Sequence, residues 1–252
     1  MVLNKKTKIL QNGKDDRVKE DVFNNKLDDV PEEKTPEKHN FFKRFYHKLF
    51  PKKNNLITSK EIFDAISSCG FEPPNTLYVT ELCRSMNDKI QNKEESAMFL
   101  AHIIHETGGL KYLEERYAVE NPDFDKQIYD DGMGRKDKSY HGRGFLQITW
   151  PKNYARISNE LGMGYKLLDE PELVCTDIKI AADVSACYWL LFVRPYPKVK
   201  KKYFGATTKA INGTVENGKN NVEISKNRYK IYLKVAKAFN IKKTASEKGC
   251  YN

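Results

Sequence analysis

The stretch FLAHIIHETGGLKYLEER, Phe99 to Arg116, closes a long apolar helical pattern on Glu106 and then carries two adjacent glutamates, Glu114 and Glu115. Carboxylates are costly beside apolar surface, so Glu106 in that setting needs a pairing or a chemical role. The last turn of a helix is the negative end of its dipole, which disfavours the charged form of a carboxyl there. A carboxyl that keeps its proton near neutral pH is what general acid catalysis requires. His102 and His105 lie close in sequence and raise the question of a metal. A zinc-protease His-Glu-x-x-His motif starting at His105 would need a second histidine where Gly109 stands, so that chemistry is excluded. Taken alone, base frequency favours an ordinary exposed glutamate at a helix end.

A second stretch shifts that balance. In YHGRGFLQITWPKNY, Tyr140 to Tyr154, two glycines flank Arg143, and the pattern from Gly144 to Trp150 predicts a strand with Gln147 and Thr149 on one face. Pro151 then starts the next helix. Amides and hydroxyls pointing one way among aromatic side chains such as Tyr140 and Trp150 suit a sugar subsite, because aromatic faces stack on pyranose rings and amides bond their hydroxyls.

The elements that must hold these residues are mostly helical. Thr58 followed by Glu61 reads as a capping box, with Ile62, Phe63 and Ile66 on one face and Gly70 as the stop. A second helix is predicted from about Thr76 to Ile90. The third runs from about Glu94, carries Met98, Phe99, Leu100, Ile103 and Ile104, and breaks at Gly108-Gly109. Later helices are predicted from Pro151 to Leu161, from Asp177 to about Phe192 and from Val222 to Phe239. Strand pattern is confined to Gly144–Trp150 with an upstream partner, so the fold class is mainly α (α+β) with a small β-sheet.

Length and composition set the remaining bounds. The 252 residues, 39% hydrophobic, allow one large domain with an appendage. Met1 to Asn40 holds nine basic and nine acidic side chains with few aliphatics, too polar to offset the entropy of ordering, and residues 1–53 read as a disordered extension. Within it, Phe41, Phe42, Phe45, Tyr46, Leu49 and Phe50 face opposite Lys43, Arg44, His47 and Lys48, a short basic amphipathic helix over 41–50. Such a helix suits an anionic membrane surface, a partner, or the domain itself. No signal-peptide h-region and no membrane-spanning stretch is readable, so localisation stays open. The net charge of +10 points to an anionic surface or to solubility, and without a base-reading motif no nucleic-acid partner is expected. Five cysteines, with no Cys-x-x-Cys pair, argue against a zinc site. They leave room for one or two disulfides.

Together, HETGG, YHGRGFLQIT with KNY, AINGT and NRYKIY, in that order from residue 54 to the end, resemble the glycoside hydrolase family 19 chitinases of the short, loop-poor type. The resemblance implies a lysozyme-like, two-lobed helical fold with a central cleft, no cofactor, and hydrolysis of β-1,4-linked N-acetylglucosamine polymers with inversion. Chitin or its oligosaccharides would be the partner, and the chain would act as a monomer. By the same resemblance Glu106 matches the general acid, and Glu115, nine residues on, the general base, with adjacent Glu114 as the alternative. Thr149 falls where a serine commonly helps to hold the attacking water.

Gln147, Asn153 and Asn212 match positions that contact sugar or steady the base. Arg228 matches an arginine near the catalytic centre and Arg143 an anchor of the cleft; His105, Tyr140 and Trp150 complete the candidate sugar contacts. Lys152 departs from a tyrosine common in plant-type members, so one subsite there is expected to be altered. Cys250 resembles a C-terminal disulfide partner, but the answering position is Asn217, so the plant-type bridge does not carry over. Asn212-Gly213-Thr214 is a glycosylation sequon on a candidate site residue, where a glycan would obstruct substrate. Two other readings compete: a peptidoglycan hydrolase of endolysin type, and a glycan-binding protein without catalysis.

Overall fold

A computed structural model of the protein describes residues 56–121, 128–216 and 221–251. The expected disordered extension and the amphipathic segment 41–50 lie outside the described residues. Along the chain come α1 (Ser59–Ser68), α2 (Thr76–Lys89), α3 (Lys93–Thr107), α4 (Arg116–Glu120), α5 (Pro151–Glu160), α6 (Lys166–Asp169), α7 (Leu173–Thr176), α8 (Ile178–Tyr188), α9 (Phe204–Glu216) and α10 (Val222–Ala238).

The helix ends follow local chemistry. Thr58 Oγ1 accepts from the Glu61 backbone N–H at 3.2 Å while Glu61 Oε2 accepts from the Thr58 N–H at 2.9 Å, the reciprocal capping box expected from the sequence. Asn75 and Asn92 cap α2 and α3 by accepting from Leu77 N and Glu95 N at 2.8 Å each. α3 ends in a left-handed residue, Gly108, at φ 61°. Gly109 follows at φ 79°, and a Cβ there would lie 2.5 Å from the Phe71 Cβ, so this exit from α3 tolerates only glycine.

α3 is the centre of the molecule. It is buried on nearly every face, from Glu95 to Thr107, and packs along α10, with α1 on the other side of α10 and α9 against both. The buried carboxylate of its first turn, Glu95, accepts from Trp189 Nε1 and from Arg194 Nε, both at 2.7 Å, so its charge is paired inside the core. That pairing explains how the expected helix from Asp177 ends. α8 stops at Tyr188, and Trp189–Val193 continues as one π-type turn closed by Arg194 N–H to the Trp189 carbonyl, which aims both donors at Glu95.

Two expectations are corrected. Gly144–Trp150 is not a strand: Gly144 (φ 75°) and Gln147 (φ 50°) are left-handed, and Arg143 and Ile148 exchange both backbone hydrogen bonds across a tight turn. Adjacent Phe145 and Leu146 are both buried, which an alternating strand does not allow. The small sheet is accordingly represented, among the described residues, by isolated bridges: Glu114 with Arg143, Arg143 with Ile148, and Tyr203 with Ser246. The second correction is an unexpected helix, α9, whose glycines and β-branched threonines are weak helix formers held by burial of Phe204, Ala206, Thr207 and Thr208. All five cysteines are free thiols, so the one or two disulfides that the sequence allowed are not formed.

Candidate active site

Glu106 sits in the last turn of α3 with its side chain 8% exposed. Arg228 of α10, 1% exposed, donates from Nη2 to Glu106 Oε1 at 2.5 Å. A guanidinium at that distance favours the ionised carboxylate, opposite in sign to the helix-end effect on which the sequence argument relied. One turn earlier, buried His102 receives Arg228 Nη1 at 3.3 Å on Nδ1, while its Nε2 lies 2.7 Å from the Thr207 hydroxyl. Burial and then the Arg228 charge hold His102 well below its ordinary value, so its ring is neutral. Tyr188, at the end of α8, feels the same carboxylate: burial and the Glu106 charge push its phenol up to about 12. His105 is half-buried in the last turn of α3.

Beyond the glycine exit the chain returns to Glu114 and Glu115, and their environments differ. Glu114 Oε1 accepts from His141 Nε2 at 2.8 Å and from Arg143 Nε at 3.2 Å. The His141 hydrogen bond holds its carboxyl below the usual range, burial opposes this, and the Arg143 charge adds to it. Arg143 is itself held through Nη1 by the Ser139 carbonyl at 2.7 Å and the Tyr154 hydroxyl at 3.4 Å. Glu115 has only neutral donors among its hydrogen bonds. Tyr129 Oη lies 3.1 and 3.0 Å from its two oxygens, and the Gly142 N–H donates to Oε2 at 3.1 Å. The backbone closes the same contact from the other side, Glu115 N–H to the Gly142 carbonyl at 2.8 Å. A Cβ on Gly142 would lie 3.1 Å from Gln147 Oε1 and 3.3 Å from Glu115 Oε2, so glycine lets the two side chains approach.

The remaining candidates divide. Gln147 belongs beside Glu115, its amide donating to the Gly144 carbonyl at 3.0 Å. Trp150 is half-buried and meets Tyr129 edge-on at 5.7 Å between ring centroids. Thr149 is half-buried, with its carbonyl accepting from the Asn153 amide at 2.8 Å. Lys152 is exposed and tied by its backbone N–H to Asp131 at 3.0 Å. Asn212 is half-buried where α9 kinks, at φ −147°.

Tyr140 is 2% exposed, and its hydroxyl donates to the Leu168 carbonyl and accepts from Arg135 N–H. Sequence reasoning missed Tyr129, Tyr188 and Thr207. The first lies in a loop without periodic pattern, and the other two reach the site only through helix packing. Tyr129 also lines, with Tyr140, Gly134, Lys136 and Ser139, a cavity of about 250 Å³. Among the described residues no three His, Cys, Asp or Glu side chains converge to hold a metal ion.

Residues 79–205, just over half of the chain, match the family model described as chitinase class I, glycoside hydrolase family 19. Acidic endochitinase SP2 of Beta vulgaris is 37% identical over 154 residues, which is 60% of this chain and 51% of that protein. Endochitinase B of Zea mays is 37% identical over 134 residues, 53% and 45% respectively. The chain spans about half the length of the curated relatives it matches. Among solved structures, chitinase C from Streptomyces griseus HUT6037 aligns with a TM-score of 0.52 at 25% identity, over 81% of this chain and 77% of that one. A class IV chitinase of family 19 from Zea mays gives 0.50 at 25%, over 80% and 91%. The helical architecture is the lysozyme-like fold of those structures. In its matched residues and in its fold, the chain belongs to glycoside hydrolase family 19.

Proposed function

We propose that the protein is an endo-acting chitinase that hydrolyses β-1,4-linked N-acetylglucosamine polymers in a single inverting displacement. The observation that carries this reading is the placement of Glu106 and Glu115, each 9% exposed, within the residues 79–205 that match the family 19 model.

Glu106 donates its proton to the leaving glycosidic oxygen. Arg228 holds and orients its Oε1 through the hydrogen bond at 2.5 Å. Glu115 takes a proton from the attacking water. Tyr129 and the Gly142 N–H orient its oxygens and leave acceptor capacity for that water. Thr149 serves as the second holder of the water, and Gln147, Trp150, Asn153 and Asn212 as sugar contacts. His105 and Lys152 stand as further contacts at the margins.

An inverting enzyme needs about 6.5–9.5 Å between its carboxyl groups, so that water fits beside the base, against about 5–5.5 Å in a retaining one. Soluble chitin oligosaccharides should therefore yield the α-anomer first, read by proton NMR before mutarotation. An initial β-anomer would refute both the inverting step and the base role of Glu115. The net charge of +10 also favours an anionic wall polymer as substrate, so purified peptidoglycan is the parallel arm. Its release with chitin left intact would move the assignment to a peptidoglycan hydrolase.

A further inference from the structure

Behind Glu106 the hydrogen bonds run in one direction. The Thr207 hydroxyl lies 2.7 Å from the Phe204 carbonyl, which can only accept, so its single proton points there. It must then accept from His102 Nε2 at 2.7 Å, which places the ring proton on Nε2. In a neutral ring Nδ1 is then bare, and it receives Arg228 Nη1 at 3.3 Å. Arg228 Nη2 donates to Glu106. His102 and Thr207 are fully buried, and the imidazole stacks on the Phe204 ring at 4.9 Å with an interplanar angle of 5°, so the ring cannot turn away. The opposite tautomer would aim an N–H at the guanidinium, donor against donor.

We propose that His102 and Thr207 are positioning residues that act through Arg228: the Phe204 carbonyl sets the Thr207 proton, Thr207 sets the His102 tautomer, and His102 sets the guanidinium that orients Glu106. This rests on the reading of Glu106 as the acid. The charged or titratable groups facing the ring are Arg228 from α10 and Glu106 and His105 from α3, and with burial they leave it neutral. Since neither Thr207 nor His102 is placed against sugar, loss of their contact should lower kcat and leave KM unchanged.

The test compares Thr207→Val, which removes the hydroxyl at nearly constant volume, with Thr207→Ser, which restores it. Imidazole nitrogen shifts in the whole protein should show His102 neutral with its proton on Nε2 from about pH 5 to 8. Thr207→Val should populate the other tautomer and lower kcat on a soluble chitin oligosaccharide about tenfold, the scale of one buried hydrogen bond, at unchanged KM. Thr207→Ser should return both readouts to wild type. A wild-type ring protonated on Nδ1 or doubly protonated, or wild-type kcat in Thr207→Val, overturns the proposal. Should Thr207→Val fail to fold, His102→Asn, which keeps an acceptor where Nδ1 lies, should retain more kcat than His102→Gln; the reverse order also overturns it. If the wild type cleaves no chitin, the activity reading falls and the nitrogen shifts alone decide the hydrogen-bond chain.

Discussion

Replacing Glu114 by glutamine should weaken the fold and spare hydrolysis, whereas Glu115→Gln should abolish hydrolysis and nearly spare the fold. The Glu114 carboxylate is the anionic partner of His141 and Arg143, whose side chains are each 7% exposed. Stripping a buried cation of its partner costs about 3–5 kcal/mol. Glu114 itself is 37% exposed, however, so solvent screening pulls its share toward the surface value of below about 1 kcal/mol. Arg143 also keeps the Ser139 carbonyl, and glutamine still offers an oxygen. The expected loss is about 1–2 kcal/mol, intermediate between those limits. For a domain of this size that lowers Tm by about 2–8 °C.

The pH dependence of that loss has a definite sign. Glu114 holds its proton less tightly folded than unfolded, so its contribution is complete above its unfolded pKa of about 4.3 and disappears as pH falls through the lower folded value. The Tm difference between wild type and Glu114→Gln should therefore narrow as pH falls through the acid range below about pH 5. Thermal unfolding followed by circular dichroism across this range, beside initial rates on a chitin oligosaccharide, measures both effects. A hundredfold loss of rate in Glu114→Gln at unchanged Tm, or wild-type rate in Glu115→Gln, would move the base to Glu114 and refute the reasoning.

Two further outcomes are expected. Glu106→Gln keeps the shape and the Arg228 contact but has no proton to donate, so hydrolysis should fall on the order of a hundredfold while oligosaccharide still binds, as read by calorimetry; wild-type turnover would remove Glu106 from the role of acid. Deleting residues 1–53 should leave hydrolysis intact and abolish sedimentation with anionic vesicles if 41–50 is a surface anchor. Loss of activity would place part of the site in that extension, and unchanged vesicle binding would dismiss the anchor.

Local signals carried the helical frame. Thr58 with Glu61, and Gly108-Gly109 after a run of apolar residues, act within one turn of chain, so the ends of α1, α2, α3, α5 and α10 fall within a residue or two of where caps and periodicity put them. The same locality placed Glu106 in the last turn of α3. What the local pattern misread was the stretch from Gly144 to Trp150, because strand-like composition does not report the left-handed conformations of Gly144, which packs closely against Val174, and of Gln147.

α9 stayed hidden for a related reason, since its weak helix formers are held by burial that no local pattern reports. The sequence also carried the sign of the helix dipole at Glu106 but not the opposite effect of Arg228, 122 residues away along the chain. Only packing of α10 on α3 joins those two charges. The different environments of Glu114 and Glu115 lay beyond the sequence for the same cause: adjacent residues have equal local claims, and it is the return of 141–143 against them that gives one carboxylate to His141 and Arg143 and leaves the other to Tyr129 and a backbone N–H.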